Sequence, residues 1–515
     1  MAAKRTIETY AVIDVGSNQL TLKIAEVRSK RRPRVIEVVR GALALGRDTY
    51  NEQQIRNTSL KLCIEILQGF EQKLREYDVR DWRVVATSAI REAANREFVL
   101  ARIAQETGFE VEVLDNNVER FYHLRALTSD FEFFSELKQK KLLLVDVGSG
   151  SLQISNYESG RLCYSHNVLL GALRVYEMMN QLRERTRDYT RLLDEYITCE
   201  LNDFELIEEP GAVYDVLVAI GPEMLWLKRL AGMDPGESEI SLEAFGELTR
   251  RLSRESSLTL TTREGVPADM ADQLLPTAII LDKYVRHRQI HQLHLLQTDL
   301  SDGLILEHAE RWYQLHVNPV EEADLLSMVH QLARRFRYDE QHVRYVETQS
   351  MMLFDRLARR YSLGDRQRLL LRIAAVLHDV GKFVRLNYHA DQSFEIIRHL
   401  DLLGLTDLER LQVAYIASFH SASRLPTVDA IEGLDATRRR QVLELAAILR
   451  LADGLDSSHR QKLGEVSCDL FEEEFVIHIR TDQDATLETA VSQSKSQLFS
   501  AIFGLRVVFD VQGPR

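Results

Sequence analysis

The chain has 515 residues, of which 45% are hydrophobic and 28% charged, and its formal net charge is -13 at pH 7. A chain of this length exceeds what one hydrophobic core supports, so three or four domains are expected. The composition is that of an ordinary globular protein. The negative charge argues against a protein that coats nucleic acid, but it does not exclude a polyanionic ligand bound at a local site.

The sequence lacks the features of a secreted or membrane-spanning chain. No apolar run approaches the roughly 20 residues that a membrane span needs, and the N-terminus enters a predicted strand without an apolar signal segment. Four scattered cysteines follow no metal or disulfide spacing: Cys63, Cys163, Cys199 and Cys468. We therefore expect a cytoplasmic protein that binds neither membrane nor nucleic acid.

The first part of the chain alternates predicted strands with predicted helices. Strands are expected at 8–14, 18–27, 34–42, 82–87 and 110–114, and helices at 52–77, 95–107 and 117–128. A second region repeats the pattern, with strands at 142–147, 151–157, 161–168 and 213–220, helices to about 290, and a last strand and helix. This repetition predicts two similar α/β lobes, residues 1–128 and 129–316, with a cleft between them.

The pattern changes after about residue 317. From there to about residue 456 the chain reads as amphipathic helix, which predicts an all-α domain over residues 317–465. The segment EVSCDLFEEEFVIHIR then predicts two strands, residues 484–503 a helix, and LRVVFDV a last strand. Residues 466–515 are thus expected to form a small α+β domain.

Two segments, YAVIDVGSNQLTLK from Tyr10 and LLLVDVGSGSLQI from Leu142, share one design. Each is an apolar run that ends in an aspartate, then a Gly-Ser turn, then a second alternating run, and it predicts a strand-turn-strand hairpin. Asp14 and Asp146 lie where a carboxylate can hold a hydrated metal ion or a water. Turn residues can bring backbone N–H groups and hydroxyls close to a phosphate; they are Gly16, Ser17, Asn18, Gly148, Ser149, Gly150 and Ser151. One such turn also occurs in ordinary hairpins, but two copies favour a duplicated fold that closes over a phosphorylated ligand.

Four motifs, in order along the chain, resemble those of the exopolyphosphatase/guanosine pentaphosphate phosphohydrolase (Ppx/GppA) family. They are DVGSN from Asp14, ATSAIREAAN from Ala86, EVEVLDNNVERFYHL, and VDVGSGSLQIS from Val145. The resemblance implies two lobes of the actin, sugar-kinase and heat-shock-protein type (ribonuclease H-like). It also implies a homodimer that acts on inorganic polyphosphate or guanosine pentaphosphate.

The resemblance further assigns roles in phosphoanhydride hydrolysis, which needs a positioned water, a base and positive or N–H groups around the phosphoryl group. Glu119 maps to the catalytic base, and Asp14 and Asp146 to catalytic carboxylates that hold Mg²⁺. Arg91 maps to a bidentate phosphate clamp. The alternative for Arg91 is an ion pair with Glu92 or another nearby carboxylate.

Two departures from the family pattern concern the second lobe. The second phosphate motif usually ends in a glutamate linked with metal and catalysis, and here that place is taken by the uncharged Gln153. A later Gly-Gly-Thr loop appears as Gly221-Pro222-Glu223, which removes a hydroxyl. These changes imply weakened catalysis, altered substrate choice, or a lobe retained for binding and regulation.

The helical part carries His342, the pair His378-Asp379 in LRIAAVLHDVGKF, and Asp453, in the order of an HD-type metal phosphohydrolase. Imidazoles and carboxylates from separate helices suit Mn²⁺, Fe²⁺, Mg²⁺ or Zn²⁺, and a metal there would activate water. His389 and His420 resemble additional histidines of many HD proteins. In the phosphatase family, however, this domain often serves as a binding groove and dimer surface.

Three functions follow from these patterns. The leading hypothesis is an exopolyphosphatase-like hydrolase that releases terminal phosphate from polyphosphate or guanosine pentaphosphate, with Glu119 as the base. The second is an HD-type phosphohydrolase that acts on a nucleotide, with regulatory α/β lobes. The third is a polyphosphate- or alarmone-binding regulator with weakened turnover.

Overall fold

The computed structural model describes residues 7–28, 32–130, 133–205, 211–312, 319–421 and 426–512. The chain divides into two compact units, Met1–Asp324 and Leu325–Arg515. Within the described ranges, no helix combines the length and the apolar character that crossing a bilayer requires.

The first unit begins with a mixed five-stranded sheet in the order β3-β2-β1-β4-β5. Its strands are β1 (Ile7–Val15), β2 (Gln19–Arg28), β3 (Arg34–Ala42), β4 (Asp81–Ala86) and β5 (Val111–Val113). The helices of this region are α1 (Leu45–Glu52), α2 (Asn57–Glu76), α3 (Ser88–Glu92), α4 (Arg96–Thr107) and α5 (Asn116–Asp130).

A second mixed sheet, in the order β10-β11-β9-β6-β7-β8, follows in the same unit. Its strands are β6 (Leu142–Val147), β7 (Leu152–Glu158), β8 (Arg161–Val168), β9 (Val216–Ile220), β10 (Glu239–Ile240) and β11 (Gln292–Leu296). The accompanying helices are α6 (Phe134–Leu137), α7 (Ala172–Asn180), a 3₁₀ turn at Arg183–Arg185, α8 (Tyr189–Glu205), α9 (Met224–Leu230), α10 (Leu242–Leu252), α11 (Ser257–Glu264), α12 (Ala268–His287) and α13 (Leu300–Trp312).

The two sheets repeat one topology, which confirms the predicted duplication. In each, three antiparallel strands from consecutive hairpins (β1, β2, β3 and β6, β7, β8) are continued by parallel strands beside the first of them (β4, β5 and β9, β11). Strand β10 is an addition at the edge of the second sheet, and at two residues it is too short for a periodic sequence signal.

The last helix of the second region returns to the first sheet. Because successive strand residues point to opposite faces, Val12 of β1 faces α13 and packs with Leu300 and Leu304 in a core that also holds Tyr122 of α5. Lys23 of β2 pairs with Asp299 and Asp302 at the start of α13, at 2.6 and 2.5 Å. The end of α13 nearest β2 is thus attached to the first lobe by both apolar contacts and ion pairs.

The helix predicted over residues 52–77 is present as α2 (Asn57–Glu76), and a separate helix that was not predicted, α1 (Leu45–Glu52), precedes it. Helix α1 ends at Glu52, and Gln53 adopts a left-handed conformation with φ of 58° while its N–H donates to the carbonyl of Thr49. This is the usual geometry of a helix C-terminus. Helix α2 then starts at Asn57.

The second unit is mainly helical. Helix α14 (Pro319–Arg335) crosses the boundary between the units, and α15 (Glu340–Tyr361), α16 (Asp365–Leu377), α17 (His389–His399), α18 (Asp407–Ser418) and α19 (Ala436–Gly454) follow, with 3₁₀ turns at Val380–Phe383, Phe419–Ser421 and Val428–Ala430. From Val442 to Gly454 every residue of α19 is buried, so α19 is the central helix. The chain ends with β12 (Glu465–Leu470), β13 (Glu474–Arg480), α20 (Thr486–Phe503) and β14 (Arg506–Gln512), in the sheet order β12-β13-β14. Helix α20 packs along α19.

Candidate active site

The two Gly-Ser turns of the first unit border one cavity of about 460 Å³. Apart from Arg91, all the residues that the sequence predicts for the α/β site line it: Asp14, Gly16, Ser17, Asn18, Glu119, Asp146, Gly148, Ser149, Gly150 and Ser151. The structure therefore brings together residues that lie up to 137 positions apart in the chain.

Each turn is closed by one equivalent hydrogen bond. Gly16 N–H donates to the carbonyl of Gln19 at 3.1 Å, and Gly148 N–H donates to the carbonyl of Ser151 at 3.0 Å. The register then places Asp14 opposite Thr21 and Asp146 opposite Gln153. The residue that replaces the family's glutamate is thus the cross-strand neighbour of Asp146, and it too lines the cavity.

A group of hydroxyls from the first lobe contacts the second turn. The Oγ atoms of Ser17 and Ser88 are 2.8 Å apart, and the hydroxyl of Tyr50 lies 3.0 Å from each. A Cβ atom on Gly150 would lie 2.3 Å from the Tyr50 hydroxyl and 2.4 Å from Ser88 Oγ. Glycine at position 150 is therefore required for the close approach of the two lobes.

Arg174 of α7 links the same two lobes. Its guanidinium stacks over the ring of Tyr50 at 4.2 Å and donates to the carbonyl of Gly150 at 2.7 Å and to Glu92 at 2.6 Å. Glu92 thus pairs with Arg174, and the ion pair that the sequence offered as the alternative for Arg91 is formed with a different carboxylate, Glu119.

Arg91 instead contacts Glu119. Its guanidinium donates to Glu119 at 3.0 Å, to the backbone carbonyl of Leu114 at 2.6 Å, and to the side chain of Asn116. All three acceptors belong to the segment that leads into and begins α5. Arg91 therefore holds the predicted base in place, while its predicted role as a phosphate clamp stays a prediction.

The carboxylates of the cavity influence one another. Burial raises the pKa of Asp14 to about 7, and the negative charges of Glu119 and Asp299 add to the effect. The Oδ1 atoms of Asp14 and Asp146 are both buried and lack a hydrogen-bond partner among the residues that the structure describes. Unpartnered carboxylate oxygens are the donors that a hard divalent cation prefers, so these two residues fit Mg²⁺.

His123 is a member of the site that the sequence patterns did not single out. It lies on α5 one turn after Glu119, lines the cavity, and places Nδ1 2.5 Å from Asp146 Oδ2. Burial would lower its pKa, but the charge and hydrogen bond of Asp146 raise the pKa to about 9. The sequence could have indicated His123 through its four-residue spacing from Glu119, which puts both residues on one face of a helix.

The loop after β9 and the start of α9 place one apolar wall and one buried acid beside Asp146. Pro222, Leu225 and Trp226 line the cavity. Glu223 is fully buried, and neither of its carboxyl oxygens has a hydrogen-bond partner among the described residues. Burial raises its pKa to about 8, with a smaller contribution from the charge of Asp146.

In the second unit, the four predicted metal ligands converge. His342 Nε2 lies 3.3 Å from both His378 Nε2 and Asp453 Oδ1, and the distances from the two imidazoles to Asp379 Oδ2 are 3.8 and 3.5 Å. Ligand atoms bound about 2.1 Å from one ion in a tetrahedral site lie about 3.4 Å apart. The donor set therefore fits a divalent metal such as Zn²⁺, Mn²⁺ or Fe²⁺.

The other oxygen of Asp379 faces the additional histidines. Asp379 Oδ1 lies 3.5 Å from His389 Nε2 and 3.6 Å from His420 Nε2, and these two nitrogens are 3.1 Å apart. Burial lowers the pKa of His378, and it lowers that of His420 to about 3. Both imidazoles are thus neutral at pH 7, which is the form that binds metal.

Lysines and a further aspartate surround this histidine-aspartate cluster. Lys382 lies 2.5 Å from Asp379 Oδ2, and Lys495 of α20 pairs with Asp453. His342 Nδ1 is 2.9 Å from Asp456. Burial would lower the pKa of His342, but its hydrogen bonds with Asp453 and Asp456 raise the pKa to about 9.

Comparisons with known proteins agree with this architecture. The model of the Ppx/GppA phosphatase family matches residues 24–312, and that of Ppx/GppA phosphatase, domain III, matches residues 326–495. Exopolyphosphatase 1 of Mycobacterium tuberculosis (strain H37Rv) is 24% identical over 301 residues, which are 57% of this chain and 86% of that protein. The guanosine-5'-triphosphate,3'-diphosphate pyrophosphatase of Photobacterium profundum is 22% identical over 448 residues, 85% of this chain and 86% of that protein.

A solved structure shows the same fold. The crystal structure of an exopolyphosphatase from Cytophaga hutchinsonii aligns with a TM-score of 0.51 at 18% identity, over 59% of this chain and 98% of that one. The two family models together span both compact units, and they settle the family. The chain belongs to the Ppx/GppA phosphatase family, and it is a hydrolase of the phosphoanhydride class that its motifs predicted.

Proposed function

We propose that the protein releases terminal phosphate from inorganic polyphosphate, guanosine pentaphosphate, or both, by attack of a water in the cavity of the first unit. The observation that carries this proposal is the convergence of Glu119, Asp14 and Asp146 with both Gly-Ser turns around one cavity. That set supplies the base, the carboxylates and the N–H groups that phosphoanhydride hydrolysis needs.

Glu119 is the proposed base. It lines the cavity, and its contact with Arg91 at 3.0 Å restricts the orientation of the carboxylate. In this role it orients a water toward the terminal phosphorus and accepts the proton as the bond to the leaving phosphate breaks. The N–H groups and hydroxyls of the two turns then bind the oxygens of the transferring phosphoryl group.

The charge of the cavity calls for a divalent cation. Five carboxylates line it, against Arg40 and His123: Asp14, Glu119, Asp146, Asp269 and Asp299. Such a surface repels a polyanion on its own. Asp14 and Asp146 would hold Mg²⁺, which supplies positive charge to the phosphate oxygens when it is bound.

The substrate range remains open to a direct test. Polyphosphate and guanosine pentaphosphate present the same terminal phosphoanhydride to Glu119 and the turns. The apolar wall of Pro222, Leu225 and Trp226 offers a surface for a nucleoside that a polyphosphate chain does not need. Hydrolysis of both compounds by one site is therefore compatible with the lining of the cavity.

The test is phosphate release with Mg²⁺ from each compound by the wild type and Glu119→Gln. Glu110→Gln is the matched control, because Glu110 is an exposed residue outside this cavity. We expect the wild type and the control to release phosphate and Glu119→Gln to lose at least 100-fold, as is usual for removal of a general base. Tight binding without release by the wild type would favour the regulator hypothesis, with Gln153 as the reason.

A second candidate function is supported by the histidine-aspartate cluster of the second unit. Helix α15, the end of α16 and α19 supply the four side chains, and five pairs of their donor atoms lie 3.3 to 3.8 Å apart, as a metal phosphohydrolase acting on a nucleotide would require. Under this candidate, His378→Ala abolishes nucleotide hydrolysis and Glu119→Gln does not. The opposite result would restrict the cluster to a structural or binding role.

A further inference from the structure

His123 hydrogen-bonds to one oxygen of Asp146 and leaves the other oxygen free for a ligand. A carboxylate oxygen only accepts hydrogen bonds, so the 2.5 Å contact has His123 Nδ1–H as donor and Asp146 Oδ2 as acceptor. Asp146 Oδ1 is buried and has no partner among the described residues. The imidazole thus holds Asp146 in one orientation, with an unsatisfied oxygen at the cavity.

Neighbouring side chains do not supply the same restraint. Gln153 is the cross-strand neighbour of Asp146, but no hydrogen bond joins their side chains among the described residues. Glu223 lies nearby, but its carboxyl oxygens have no hydrogen-bond partner among the described residues, Asp146 included. His123 is therefore the hydrogen-bond donor on which the orientation of Asp146 depends.

We propose that His123 is a positioning residue that presents Asp146 Oδ1 to the divalent cation of the cavity, an inference that rests on the proposed function. Side chains that hydrogen-bond to a ligating group orient it, and their removal costs roughly 10- to 100-fold in metal affinity or activity. The position of His123 on α5 also couples this restraint to Glu119, one turn earlier on the same helix. Helix α5 would then align both the base, Glu119, and the metal ligand, Asp146, which His123 holds.

The test is a calorimetric titration of the full chain with Mn²⁺ in the absence of substrate. The binding step that Asp146→Asn removes identifies the cavity site. We expect His123→Leu to weaken that step roughly 10- to 100-fold. His123→Asn should restore most of the affinity, because its amide nitrogen takes the place of Nδ1. His291→Leu, at an exposed histidine outside the cavity, should bind as the wild type does.

Kinetics give a second readout that a merely structural role would not change. In His123→Leu the Mg²⁺ concentration for half-maximal phosphate release should rise, while kcat at saturating Mg²⁺ recovers. The proposal would be overturned if His123→Leu bound Mn²⁺ in the cavity with wild-type affinity. It would also be overturned if His123→Asn bound Mn²⁺ as weakly as His123→Leu, or if Asp146→Asn lost no binding step. If the wild type releases no phosphate but the wild type and the variants bind Mn²⁺ as expected, this inference is upheld and the proposed function is rejected.

Discussion

The guanidinium of Arg91 donates to the carboxylate of Glu119 at 3.0 Å, so the residue expected to clamp phosphate contacts the residue expected to act as base. Both side chains are mostly buried, and two further acceptors, the carbonyl of Leu114 before α5 and the side chain of Asn116 at its start, fix the arginine. Because Arg91 is held by the segment that joins β5 to α5, the orientation of Glu119 depends on that segment of the same lobe.

Replacing Arg91 should therefore affect turnover more than substrate binding. We expect Arg91→Gln to lower kcat roughly 10- to 100-fold, because a small displacement of a reacting group is enough for such a loss, with little change in KM. Steady-state kinetics on polyphosphate measure both quantities. A rise in KM at unchanged kcat would show instead that Arg91 binds the phosphate directly.

A methyl group at position 150 should force the two lobes apart. The Cβ of Gly150→Ala would lie 2.3 Å from the Tyr50 hydroxyl and 2.4 Å from Ser88 Oγ, so we expect loss of activity and a lower melting temperature. Gly69→Ala is the matched control. Position 69 is inside α2 with nothing within 4 Å of a new Cβ, so alanine there should stabilise the protein by about 0.5–1 kcal/mol. Equal melting temperatures for the two variants would contradict the close lobe contact.

Glu223 should make the protein less stable as pH rises. Its pKa is about 8 in the folded chain, against the ordinary value of 4.5, so between these values the folded state holds a proton that the unfolded state has lost. Stability therefore falls with increasing pH across this window. Glu223→Gln removes this contribution to the pH dependence, and its gain in melting temperature over the wild type should be larger at pH 8.5 than at pH 5. Calorimetry in the presence of EDTA measures this, and an equal difference at both pH values would contradict it.

Metal binding to the histidine-aspartate cluster should release a proton. The pKa of His342 is about 9, so at pH 7 its imidazole is protonated in the metal-free protein and must lose that proton to become a ligand. We expect affinity for Zn²⁺ to increase from pH 6 to pH 8. The binding enthalpy should also vary with the ionisation enthalpy of the buffer. His378→Ala should lose this binding step, and a step that is independent of pH would show that His342 is not a ligand.

Local sequence patterns predicted the hairpins, and three-dimensional packing decided the rest of the site. The Asp-x-Gly-Ser turns could be read from sequence because a Gly-Ser turn between two strands is set by residues within ten positions of one another. The contact of His123 with Asp146 spans 23 positions and that of Arg91 with Glu119 spans 28, so neither leaves a periodic signal. A local pattern also could not predict that α13 packs against the first sheet.

The central claim is that hydrolysis takes place at Glu119 and not at His378. The most direct test compares phosphate release from long-chain polyphosphate, with Mg²⁺, by the wild type, Glu119→Gln and His378→Ala. We predict that Glu119→Gln is inactive and that His378→Ala retains activity. Release that persists in Glu119→Gln and disappears in His378→Ala would contradict the account and place the chemistry in the second unit.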